Sequence, residues 1–248
     1  MNISFVWRGK TVRFAVDNPM DLIQKHLMAG SFFETAELSY LQSIVRPHSV
    51  IVEAGANIGN HLVYYGLFMN PSKIIPIEPN QAAIDLLRRN ITLNQISCVD
   101  TSLLGFGIGE TYGHSVLLVQ DRYNIGAARL VESRKGSVEV YALDEKLDTK
   151  IDFIKIDVEG MEMKALRGAS RLLRASQPIM FIEILNANLK VFCHWLVTNN
   201  YKIIKTFDYV NAKNVIAVPG YGDRLDSNSE AVTVNKLTKT NKSRLKMT

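Results

Sequence analysis

The period of the apolar positions changes several times along this chain, and each change marks an element. Between Ile3 and Val16 apolar and polar residues alternate on either side of Gly9-Lys10, the two-residue period of a β-hairpin. Asp17-Asn18-Pro19 then signals a helix start, Leu22, Ile23, His26 and Leu27 supply its buried face, and Gly30 ends it. A second helix begins near Glu34, carries Leu38, Leu41, Ile44 and Val45 at helical spacing, and stops at Arg46-Pro47. Phe32 and Phe33 in the connection are candidates for a lid or for packing.

The pattern then tightens into a β-branched run, Val50-Ile51-Val52, followed by Glu53 and the small-residue turn Gly55-Ala56-Asn57-Ile58-Gly59. Leu62, Tyr64, Tyr65 and Phe68 resume at helical spacing, and Lys73 to Ile77 forms a second strand ending at Glu78-Pro79. Two strands joined by a helix predict a right-handed βαβ unit with parallel strands. A helix over Gln81–Asn94 and a third strand over Val99–Ile108 follow, the latter opening into Gly105, Gly107 and Gly109. Short alternating runs from Ser115 to Leu143 predict an inserted antiparallel element. Ile151 to Asp157 reads as a buried strand ending in acids. A helix carrying Met161, Ala165, Leu166 and Ala169 follows, then a strand over Ile179–Ile182 ending at Glu183. A helix over Val191–Val197 and strands at Tyr201–Phe207 and Val215–Val218 complete the series. Strands alternating with helices predict an α/β fold, an open and mainly parallel sheet with helices on both faces.

Composition changes this picture little. The chain has 248 residues with 47% hydrophobic and 21% charged, ordinary for one globular unit. We read residues 1–222 as one domain, with 1–48 an N-terminal cap and 49–222 the core, and 223–248 as a basic tail. The net charge of +5 gathers in that tail, at Lys236, Lys239, Lys242, Arg244 and Lys246. A charge confined there is not a nucleic-acid footprint, so no nucleic-acid partner is expected. Cys98 and Cys193 lie far apart and outside any C-x-x-C pattern, as expected of free thiols in a reducing, cytoplasmic setting. The longest apolar run, Leu62 to Met69, is too short to span a bilayer.

The candidate chemistry sits at the strand ends. Gly55 and Gly59 let a strand-to-helix turn reach a ligand closely, and Glu78, about 20 residues beyond the turn, stands where an acid would bind the two hydroxyls of a ribose. Ala56 and Asn57 occupy the place where the glycine of G-x-G-x-x-G would admit a pyrophosphate. A ligand with ribose and adenine but no phosphate, S-adenosylmethionine, suits this turn better, with Glu53 offered toward its cationic end. A nicotinamide-dependent oxidoreductase is the disfavoured alternative, and a non-catalytic module binding S-adenosylmethionine is a third reading. Gly107, at the end of the third strand, is placed for close approach to an adenine.

Three blocks in order, VEAGANIGNH, IPIEPN with RRNITLN, and IDFIKIDVEGMEMKALRGA with PIMFIE, resemble the FkbM-type S-adenosylmethionine-dependent methyltransferases between roughly Phe33 and Glu183. The resemblance implies a class I, Rossmann-like sheet of seven strands with the last one antiparallel. It also implies methylation of a hydroxyl on a sugar, glycan or small natural product. Carried over, Glu53, Gly55, Ala56, Asn57 and Gly59 match the cofactor turn, Glu78 with Pro79 the ribose end, and Asp157, Glu159 and Gly160 the acidic motif. Asp157 or Glu159 would orient or deprotonate the acceptor, the rival role being a helix cap for Asp157 and a structural ion pair for Glu159. His61, Asn124 and Glu183 are candidates for the acceptor side. No metal is expected, because neither a histidine nor a third acid stands at metal spacing in the sequence.

Overall fold

The computed structural model describes residues 1–118 and 128–220. Strands β1 (Asn2–Trp7) and β2 (Lys10–Ala15) form a hairpin turning at Arg8-Gly9, both with positive φ as a two-residue turn requires. Helix α1 (Leu22–Met28) starts at Asp21, whose side chain accepts from the Gln24 N–H. The expected start at Asp17-Asn18 is corrected, because Asp17 and Asn18 instead donate their N–H groups to the Gln24 side chain. Helix α2 (Thr35–Ile44) leads into β3 (Val50–Ala54), α3 (Asn60–Phe68), β4 (Lys73–Ile77) and α4 (Gln81–Leu93). Next come β5 (Gly107–Ile108), β6 (Gly113–Leu118), β7 (Arg129–Glu132), β8 (Val138–Tyr141) and the short α5 (Leu143–Lys146). Strand β9 (Phe153–Ile156), helices α6 (Glu162–Gly168) and α7 (Ser170–Ser176), β10 (Ile179–Leu185), α8 (Leu189–Thr198), β11 (Tyr201–Asp208) and β12 (Ala212–Pro219) finish the described chain.

The central sheet has six strands in the order β11-β12-β10-β9-β3-β4. Strands β4, β3, β9 and β10 run parallel, and β12 runs antiparallel between β10 and β11. Among the described residues the seven strands that the resemblance implied are thus six in a mixed sheet. The missing one is the expected strand over Val99–Ile108, which touches the β4 edge only through the single pairs Ile74–Val99 and Glu78–Leu104. Between those pairs the Asp100 side chain accepts from the Ser102 N–H and Leu104 donates back to Thr101, a turn that breaks the ladder. Pro76 fits this arrangement, since proline is tolerated on an edge strand. A separate four-stranded sheet, β5-β8-β6-β7, is the inserted antiparallel element, with β5 pairing parallel to β8.

Alternate residues of each central strand enter opposite cores. Ile51 and Phe153 face the hairpin and α1 to α4, while Val52 and Ile154 face α5 to α8. The single helix expected after the acidic motif is two, with Ala169 both ending α6 and opening α7. Covered on both faces, the sheet leaves the carboxyl ends of β3, β4, β9 and β10 as the place where loops converge.

Candidate functional site

A cavity of about 450 Å³ opens at those strand ends, a volume within the range of small-molecule sites. One wall is Gly55, Ala56, Asn57, Ile77, Glu78 and Pro79, with Phe106, Gly107 and Ile108 beside it. The opposite wall is Glu34, His61, Lys155, Asp157, Glu159, Glu183 and Tyr209. Leu22, Ile23 and Phe33 contribute an apolar stretch from the N-terminal helices.

The first wall is held by backbone. Gly55 and Ala56 both donate their N–H groups to the Ile77 carbonyl, at 2.9 and 3.1 Å, so the turn is pinned to the end of β4. Gly55 has φ +81°, and a Cβ there would come within 1.8 Å of the Asp157 carbonyl oxygen. The glycine is required by contact with the neighbouring strand rather than with a ligand. Glu78 closes the wall: its carboxylate accepts the N–H of Asn57 at 2.8 Å and that of Asn80 at 2.9 Å. Burial pushes its carboxyl up to about 7 against the pull of those two bonds. A carboxylate with two backbone donors keeps lone pairs for the hydroxyls of a ribose.

Two residues carried over to the cofactor turn do not line the cavity. Gly59 has φ +87° and lies against Leu87, packing α3 onto α4. Glu53 has no solvent exposure, and neither carboxylate oxygen makes a hydrogen bond. Burial pushes it up to about 8, with the Lys155 charge opposing. The expectation that Glu53 presents a charge to the cofactor is therefore corrected: at neutral pH it is mostly protonated and stands behind the wall, with its oxygen 3.9 Å from His61 Nδ1.

The second wall is held by side chains. Lys155 and Asp157 stand two apart at the end of β9, hence on one side of the strand, and their charges meet at 2.8 Å. Burial raises the Asp157 carboxyl, but Lys155 and further hydrogen bonds outweigh it and hold the group below the ordinary carboxylate range. Burial likewise opposes the Lys155 charge, and Asp157 and Glu53 more than restore it. Asp157 caps no helix, since Met161 opens α6. Glu159 has φ +47° and Gly160 φ +94°, a left-handed pair whose first carbonyl accepts from Arg129 Nε at 3.3 Å. Burial, then the Asp157 charge, pushes Glu159 up to about 7. The Asp157 charge, then burial, pushes Glu183 well above the ordinary carboxylate range, with a hydrogen bond to Asp157 adding to the rise.

The sequence spacing suggested no third acid, yet Asp157, Glu159 and Glu183 offer oxygens within 4.8 Å of one another. Glu183 lies on β10 beside β9, a neighbour only once the strands pair. Asn124 lies outside the described residues. Glu34 and Tyr209 escaped the sequence reading, and Lys155, expected as a structural partner for Glu159, pairs with Asp157 instead. Lys155 alone carried a signal, the K-x-D alternation of a strand.

The FkbM methyltransferase domain profile matches residues 53–203, more than half of the chain. The chain belongs to the FkbM methyltransferase family. Methyltransferase 1 of Beauveria bassiana is 31% identical over 144 residues, 48% of this chain and 58% of that protein. An FkbM methyltransferase from Methylobacillus flagellatus KT superposes with a TM-score of 0.50 at 22% identity, over 73% of this chain and 51% of that one. SMU.1697c from Streptococcus mutans, solved with SAH, superposes at 0.50 and 11% identity, over 74% of this chain and 95% of that one. The chain thus spans less than two thirds of the length of its first two relatives, and the structural likenesses establish a class I methyltransferase-like fold. Among the described residues no helix is long and apolar enough to cross a membrane.

The lining suits S-adenosylmethionine. Ile77, Phe106 and Ile108 could pack against a purine, Glu78 could accept from the hydroxyls of a ribose, and Asp157 is the acid that could face a sulfonium or an ammonium.

Proposed function

We propose that this chain transfers a methyl group from S-adenosylmethionine to a hydroxyl of a sugar, glycan or small natural product. The observation that carries the reading is the split within the acidic motif, where Asp157 pairs with Lys155 at 2.8 Å while burial and the Asp157 charge push its neighbour Glu159 up to about 7 in the same cavity. When bound, the cofactor supplies an electrophilic methyl on a cationic sulfur. Glu78 holds the ribose, and Asp157 with Lys155 fixes the charge balance beside the reacting centre. Glu159 takes the proton of the acceptor hydroxyl as the new carbon–oxygen bond forms, with the thioether as leaving group. A base titrating near 7 matches that role, since general-base catalysis is most efficient when the catalytic pKa lies near the working pH. Holding the hydroxyl in line with the methyl supplies the larger part of the acceleration.

Residues 1–48 act in this reading as the acceptor-side cap of the core. Cys98 and Cys193, which form no disulfide, support a reducing, cytoplasmic setting, and the concave, partly apolar cavity supports a small acceptor over a nucleic acid. Calorimetry with S-adenosylhomocysteine, followed by labelled-methyl transfer across sugars and hydroxylated small molecules, tests the proposal. We expect binding, and a transfer rate that rises with pH through about 7 and falls on the order of a hundredfold in Glu159→Gln, with that pH limb abolished. Absence of binding, or an unaltered Glu159→Gln profile, overturns it.

A further inference from the structure

Glu34 is part of the cavity wall, and methyl transfer as described leaves it without a role. It opens α2 at φ 55°, a left-handed conformation that a residue with a Cβ adopts only when its surroundings over-determine it. The surroundings do so. The Phe33 N–H donates to Asn60 Oδ1 at 3.0 Å and Asn60 Nδ2 donates back to the Phe33 carbonyl at 3.1 Å, which clamps the preceding residue on α3. One turn further along α2, the Tyr209 hydroxyl donates to Glu37 at 2.7 Å, which already ties the helix to the β11–β12 hairpin. The Glu34 side chain is only 9% exposed. Asn214 Nδ2 donates to its Oε1 at 2.6 Å, and His61 Nε2 stands 2.9 Å from its Oε2. A carboxylate has about four lone-pair sites, so two neighbours leave capacity for a donor inside the cavity that Glu34 lines.

Resting on the methyl-transfer reading, we infer that Glu34 anchors the acceptor through a second hydrogen-bond donor, one that is not itself methylated. The acceptor class is then a diol, polyol or amino alcohol, and a lone alcohol is a poor substrate. Leu22, Ile23 and Phe33 line the same cavity, which suits an apolar framework carrying the two donors. The selectivity has a physical basis, because an acceptor lacking the second donor displaces water from a nearly buried carboxylate and gives it nothing back.

The test compares 1-phenyl-1,2-ethanediol with 2-phenylethanol as acceptors for the parent, Glu34→Gln, Glu34→Ala and Glu37→Gln, alongside calorimetry with S-adenosylhomocysteine and melting curves. The expected parent favours the diol by about a hundredfold in kcat/KM. Glu34→Ala and its near-isostere Glu34→Gln bring that ratio to within about fivefold, mainly through the KM of the diol, with S-adenosylhomocysteine affinity held within about twofold. Glu37→Gln loosens the neighbouring tie and shifts the melting temperature while keeping the diol preference, which separates anchoring from scaffolding. A diol preference that survives both Glu34 variants overturns the inference, as does loss of cofactor affinity in step with activity. A parent that binds S-adenosylhomocysteine yet shows no preference, or methylates neither compound, also overturns it. A parent that fails to bind S-adenosylhomocysteine instead defeats the methyl-transfer reading beneath it.

Discussion

On the β4 side of the cavity the lining groups come mostly from one run of chain, Gly55 to Pro79, and are fixed through backbone N–H groups: those of Gly55 and Ala56 to the Ile77 carbonyl, those of Asn57 and Asn80 to the Glu78 carboxylate. On the β10 side they come from α2, α3, β9, β10 and the β11–β12 hairpin, and are fixed by side chains meeting across long separations, such as Asn214 with Glu34 and Tyr209 with Glu37. The first wall depends on few side chains beyond its glycines, Glu78 being the one that braces the turn. The second changes with every substitution. A site divided this way keeps one ligand constant and lets the other vary, which suits a shared cofactor and a diversified acceptor.

That contrast can be broken at its stiffest point. Replacing Lys155, 3% exposed, with methionine leaves Asp157 and its neighbours without their cation, and we expect a loss of about 3–5 kcal/mol in denaturant unfolding. A variant that unfolds like the parent would mean the second wall does not depend on that pair. The glycine turn should answer almost as strongly. Gly55→Ala forces a Cβ into the Asp157 carbonyl from a left-handed backbone, at about 2–4 kcal/mol, and melting curves will read it. Because this contact joins the two walls, loss of acceptor turnover should accompany loss of cofactor affinity.

A third change separates the walls. Glu78→Ala should weaken S-adenosylhomocysteine binding by about 1.5–3 kcal/mol, roughly 10- to 150-fold by calorimetry, and leave the diol preference of the bound enzyme intact. Unchanged affinity would refute the ribose assignment.

The smallest effect concerns the acid behind the walls. The folded-state pKa of Glu53 is raised, from 4.5 to about 8, so its contribution to stability is fully present below the unfolded value and is lost as pH rises through the folded one. Within that window the parent should lose at most about 1.4 kcal/mol per pH unit through this group. Urea midpoints at pH 6.5 and 7.5, a single unit apart, should therefore differ more for the parent than for Glu53→Gln. Equal differences would show that Glu53 ionises without cost.

The same division explains what could be read from the sequence. The glycine turn, Glu78 and the paired acids of the IDVEG segment are local, and local periodicity places them at strand ends before any contact is known. Glu34 reads from sequence as an ordinary first residue of a helix. Its role depends on a left-handed φ and on Asn214, which no pattern connects to it. Glu183 reads from sequence as an acceptor-side candidate at a strand end, and only the pairing of β10 with β9 sets it against Asp157. The third strand failed for a local reason that periodicity misses: the apolar run Val99 to Ile108 contains a side-chain turn at Asp100 that competes with the ladder. Strand alternation gives Glu53 a side but not a depth, and the structure buries it completely.

The bond between Asn214 and Glu34 joins residues 180 positions apart. A chain emerging from the ribosome can bring β3, α3 and β4 together while most of its length is still untranslated, whereas the Glu34 side of the cavity waits for β12. Selectivity should thus mature last, and pulse-labelled hydrogen exchange during refolding would register it as late protection of the amides around Glu34, after those of β3 and β4.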